Sequence, residues 1–143
     1  MNNLARACLM MLATAMVGAT ASMAVACGFC IEDKIAAVYD YAVVTRAFSQ
    51  KHQVVFFALE GKMPAGDEAR RKVRALVESV VGIDRGSARL SAETSALSAA
   101  FNPARTPFAA MERSLTRKLA ACGLSIALLR IMDVPAELKQ VER

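Results

Sequence analysis

Val54-Val55-Phe56-Phe57-Ala58-Leu59, closed by Glu60-Gly61, is the stretch on which the reading of the fold turns. A short run of β-branched and aromatic residues ending at a glycine is the pattern of a strand buried on both faces. Downstream of it the period changes. After Pro64-Ala65-Gly66-Asp67, the apolar positions Ala69, Val73, Leu76, Val77, Val80 and Val81 follow helical spacing and predict a helix from Asp67 to Val81, stopped by Gly82. Ser87 to Leu90 and Ala96 to Phe101 then read as two short strands around Glu93-Thr94-Ser95, with Leu97, Ala99 and Phe101 on one face. Thr106 offers a cap and Pro107 a first helical residue for a helix whose stripe is Phe108, Met111, Leu115, Leu119 and Cys122, which places Cys122 in the core. Gly123 stops that helix, Leu124 to Ile131 is a last strand, and a charged tail follows from Asp133 to Arg143.

The order strand, helix, strand, strand, helix, strand predicts an α+β class and a ferredoxin-like βαββαβ sandwich. Upstream, Ile31 to Gln50 holds no Gly or Pro and predicts one helix, with Glu32 and Asp33 in its first turn and a thin polar stripe near Asp33 and Asp40. Its broad apolar arc (Ile31, Ile35, Val38, Tyr39, Ala42, Val43, Ala47) needs cover. A βαββαβ sheet carries helices on one face only, yet the strands from Val54 and Leu124 are apolar on both. The extra N-terminal helix is therefore expected on the open face. The short Lys51-His52-Gln53 link makes it antiparallel to the following strand, with His52 an exposed linker residue. Twenty helical residues rise about 30 Å and the strand about 20 to 25 Å, so the helix start should return to the edge that carries the Glu60 to Gly66 loop. The expected organisation is a signal peptide over 1–26, a C-x-x-C motif and helix over 27–52, the sandwich over 53–132 and the tail over 133–143.

Three packing motifs carry a family resemblance: Val80-Val81-Gly82-Ile83, Phe101-Asn102-Pro103 and Ala121-Cys122-Gly123-Leu124. On these, residues 54 to 131 resemble the heavy-metal-associated domain of copper chaperones and metal-transporting ATPases. The resemblance implies the ferredoxin-like fold. It does not bring the family's metal site, because family members place C-x-x-C in the loop after the first strand. Here that loop is Glu60-Gly61-Lys62-Met63-Pro64-Ala65-Gly66 and has no cysteine.

The C-x-x-C of this chain lies elsewhere, as Cys27-Gly28-Phe29-Cys30. It follows a segment with one charge, Arg6, an apolar centre from Leu9 to Val17 and the small-residue site Ala24-x-Ala26, the pattern of a cleaved secretory signal and hence of a periplasmic or otherwise exported protein. Two thiols at a helix start meet free N–H groups and the positive end of the helix dipole, which favour thiolate. Thiolates at this spacing suit Cu(I) or another soft ion, with Met63 as candidate third ligand. The same pair can cycle between dithiol and disulfide, or form an inert bridge. Acylation of Cys27, as in bacterial lipoproteins, would remove its thiol from either role. The formal charge of +5, with Arg70, Arg71, Lys72 and Arg74 as its densest cluster, comes without interleaved aromatics, so no nucleic-acid partner is expected. One histidine and no nucleophile turn leave hydrolase chemistry without visible machinery. The expectation is a non-enzymatic, exported soft-metal-handling protein whose metal sits on Cys27, Cys30 and Met63. Its partners are a metal ion and a metal-transport protein, with a membrane only if the signal stays or Cys27 is lipidated. A thiol-disulfide protein and a non-catalytic interaction module stand as alternatives.

Overall fold

A computed structural model describes residues 28–135; the expected signal peptide, Cys27 and the tail beyond Pro135 lie outside them. In chain order the elements are α1 (Gly28–Val38), α2 (Tyr41–Ser49), β1 (Gln53–Gly61), α3 (Asp67–Glu78), β2 (Arg89–Ser91), β3 (Ala96–Phe101), α4 (Phe108–Ala120) and β4 (Leu124–Met132). The strands form one antiparallel sheet in the order β2-β3-β1-β4. From β1 onward this is the βαββαβ sandwich that the sequence predicts. Its topology sets β1 inside the sheet, paired with β3 on one side and β4 on the other, which is why Val54 to Phe57 are all at most 1% exposed.

Side chains on a strand alternate between faces, and the two faces of this sheet are sorted accordingly. Val55, Phe57 and Leu59 of β1 join Leu97, Ala99 and Phe101 of β3 under Val73 and Val77 of α3 and Met111, Leu115 and Leu119 of α4. Phe108, at the start of α4, stacks on Phe57 with ring centroids 6.5 Å apart and tilts against Phe101. Val54, Phe56, Ala96 and Ala100 point the other way, onto Ile35 and Val38 of α1 and Val43, Val44 and Ala47 of α2. The open face is thus covered by N-terminal helical residues, as the apolar strands require.

That cover is two helices, where the sequence suggests one from Ile31 to Gln50. The chain leaves the helix at Tyr39, and Asp40 is extended (φ −128°, ψ 111°). Its Oδ1 accepts from the Val43 N–H at 3.1 Å, capping α2, and its Oδ2 accepts from Arg89 Nε at 2.8 Å. Ser98 Oγ donates to the Val38 carbonyl at 2.6 Å, satisfying an orphan acceptor at the end of α1. Asp40 is therefore a cap held by an ion pair to Arg89 of β2, and the solvent-stripe reading of it is corrected. Because α1 begins at Gly28, Glu32 and Asp33 lie beyond its first turn; Glu32 pairs instead with Arg130 of β4.

Other boundaries shift for local reasons. α3 ends at Glu78, with Val80 buried and Val81 63% exposed, and Gly82 turns at φ +95° because a Cβ there would lie 2.7 Å from the Thr106 side chain. The cap position of α4 is Pro107, which makes no side-chain cap bond, so Thr106 is not the cap. Ser87 lies outside β2; its buried hydroxyl donates to the Asp84 carbonyl at 2.6 Å and accepts from the Ala100 N–H at 3.1 Å. β4 is an edge strand with a bulge opposite Phe56 and Phe57, and Leu128 and Ile131 stay exposed. Its apolar run reads as covered on both faces in sequence, but an edge position lacks the neighbour that would cover it.

Candidate functional site

One edge of the sheet collects the end of β1, the turn at residues 92–95 and the turn between α4 and β4. Gly61 sits there at φ +111°, with the Gly123 carbonyl oxygen 2.3 Å from where a Cβ would be, so only glycine lets the two turns meet. The N-terminal end of α1 points toward this edge. Its C-terminal end is fixed at Ser98, which pairs with Phe56. One turn earlier, Lys34 Nζ donates to the carbonyls of Thr94 and Ser95, and the Ser95 carbonyl also accepts from the Leu59 N–H at 2.8 Å. Moving from Val38 back to Lys34 therefore climbs the sheet from the level of Phe56 to that of Leu59. Cys30 is in the first turn of α1, one further turn along the same line. Cys27 lies outside the described residues.

Met63, the other candidate ligand, is half-buried in the loop at this edge and packs against the α3/α4 core, on the face of the sheet away from α1. Cys122 is corrected from core to surface. α4 ends at Ala120 and the chain reverses through Gly123 (φ +72°), so the stripe stops at Leu119 and the thiol of Cys122 is free and exposed in the turn beside Gly61. The glycine directly after it was the available signal. His52 is also corrected. Its Nδ1 donates to Asp84 Oδ2 at 2.8 Å, with 16% and 20% of the two side chains exposed, because the tight link at Lys51 (φ +60°) turns the ring onto the loop before β2.

Electrostatically the α1/α2 face is pinned at its corners. The Val43 N–H and then the Arg89 guanidinium hold the Asp40 carboxyl below its ordinary value of 3.8. Among the described residues no three of His, Cys, Asp and Glu come together as a metal site. None of the described helices is long and apolar enough to cross a membrane.

The class defined by strand order and helix placement is the ferredoxin-like α+β sandwich with an added helical layer. No protein-family model matches the chain, and no curated protein matches it. Among solved structures it is similar to the crystal structure of oxidized MerP from Ralstonia metallidurans CH34, at 20% identity and a TM-score of 0.44, over 55% of this chain and 99% of that one.

Proposed function

We propose that this is an exported protein that carries a soft metal ion, with Cu(I) the ion its donors suit best, on the thiolates of Cys27 and Cys30. The observation that supports the reading most is the direction of α1, which brings the first helical turn, with Cys30 in it, toward the edge held by Lys34. Free N–H groups and the positive end of the dipole at a helix start both favour the thiolate form of a cysteine, the form that binds metal. Two sulfurs suffice for Cu(I), which accepts linear ligation, whereas Zn(II) needs four ligands. Met63 enters as third ligand only if its thioether leaves the α3/α4 core, an excursion its flexible side chain permits. The ion is cargo in this reading, and a metal-transport protein is the partner to which such cargo passes.

The test is Cu(I) titration of the reduced protein, without residues 1–26, against a chromophoric chelator. It is done in a Cys122→Ser background so that the exposed third thiol cannot substitute. One ion per chain is expected, with loss of at least tenfold in affinity on Cys27→Ser/Cys30→Ser and little change on Met63→Leu. Unchanged affinity in the double serine variant would falsify the assignment. Absence of Cu(I) binding together with a reversible Cys27–Cys30 disulfide would favour the thiol-disulfide alternative.

A further inference from the structure

The sheet ends differently on its two sides. β2, at one edge, is three residues long, while β4, at the other, runs for nine from Leu124 to Met132. Among the described residues β4 pairs only with β1, so the backbone N–H and C=O groups on its outer side meet no strand. Edges are usually kept from pairing by shortness, by charge or by a bulge. β4 is not short. Its one charged residue, Arg130, is held by Glu32 of α1, and its bulge falls at Leu129, which leaves Leu124 to Leu128 a regular run. The register sets Leu128 beside Phe57 and Ile131 beside Val55, so both lie on the α3/α4 side of the sheet, where they stay 43% and 38% exposed.

We propose that β4 is the contact strand of a homodimer, in which two copies pair β4 to β4 antiparallel and join their four-stranded sheets into one. Outward backbone groups on a regular run call for a strand, and the side chains say which. With no acidic residue and its one base already matched, β4 has no charge pattern by which to select a foreign strand. It is complementary to itself under a two-fold axis. An axis through Ile126 sets Leu124 against Leu128 of the second copy and Ser125 against Ala127 of the second copy, all neutral. The two Arg130 positions then stand about eight residues apart along the strand direction, roughly 27 Å, well beyond a screening length of about 8 to 10 Å, so they do not repel each other. The antiparallel arrangement points the two cysteine edges in opposite directions. Each edge stays with its own chain, and the proposal is independent of the metal reading.

Sedimentation velocity of the intact, reduced protein over a series of concentrations is compared with that of the Leu128→Lys/Ile131→Lys variant. Both positions are exposed, so the variant is expected to keep the wild-type circular dichroism spectrum. Wild type should pass from monomer to dimer as concentration rises, and the association constant of the variant should fall by at least about tenfold, because each charge enters the contact twice. Amide hydrogen exchange of the wild type is read at both ends of the series and needs no variant: protection should grow with concentration in β4. A monomer at every concentration overturns the proposal. So does a dimer that the two lysines leave unchanged, or one whose added protection lies outside β4.

Discussion

The two faces of the sheet are closed in different ways. On one, α3 and α4 are crossover helices, fixed by chain connectivity between strands that must pair, and they seal Phe57, Leu97 and Phe101 without a polar tether at the centre. On the other, α1 and α2 precede the sheet and could leave it without breaking a strand pair. They are held by a smaller apolar cluster and by discrete polar contacts: Asp40 with Arg89, Lys34 with the 92–95 turn, Ser98 with Val38 and Glu32 with Arg130. A layer guaranteed by topology is fixed mainly by packing, with polar contacts at its margin such as Glu78 Oε1 accepting from the Ala88 N–H at 3.1 Å. A layer appended to the chain needs polar contacts to set its position and its breaks.

Adjacent residues on opposite faces give the strongest way to break this contrast. Phe56→Ala and Phe57→Ala each remove a fully buried ring at an expected cost of about 3 to 5 kcal/mol, measured by denaturant unfolding. Phe57→Ala should lower amide-exchange protection throughout the sandwich. Phe56→Ala should do so first in α1 and α2, and uniform loss in both variants would mean that the layers open as one unit.

A smaller effect is expected from charge alone. Asp40→Asn keeps an N-cap acceptor and removes the carboxylate that meets Arg89. Since the folded pKa of Asp40 is depressed, the carboxylate contributes stability that is fully present above its ordinary value of 3.8 and is lost as pH falls through the lowered folded value. Wild type should therefore exceed Asp40→Asn in melting temperature at neutral pH, and the gap should close on acidification below the usual carboxylate range. A gap independent of pH would assign the effect to geometry. The smallest change belongs to the turn beside Gly61: Cys122→Ser should alter stability by no more than about 0.5 kcal/mol, because the thiol is exposed. The native protein should accordingly show one rapidly modified thiol at this position.

These contrasts also mark what the sequence makes legible. The βαββαβ order is written in local patterns: the run from Val54 to Leu59, the helical spacing from Ala69 to Val77 and the stripe from Phe108 to Leu119. Each element announces itself within its own length, and connectivity then leaves few topologies. The break at Tyr39-Asp40 is harder to see because no Gly or Pro marks it. It depends on Arg89, 49 residues away, giving the Asp40 carboxylate a partner that an unbroken helix would not. Cys122 illustrates the opposite error, in which a local period is continued one step past the point where Gly123 had already ended the helix. The exposure of Leu128 and Ile131 is likewise invisible in sequence, since an edge strand and a central strand can share one composition. For the candidate site, the C-x-x-C and its adjacent helix are legible. The edge toward which the N-terminal end of that helix points follows from the sheet.

The central place of β1 has a consequence for how the chain comes into being. Its register with β4 joins Val54 to Met132, so the second edge of β1 stays open until β4 has been made. Until then Val54 to Leu59 is an apolar strand with unsatisfied backbone groups, and α1 and α2 have no finished sheet to settle on. Synthesis thus completes the sandwich only when β4 has been made. The same delay makes β1 the segment most in need of a chaperone on the way.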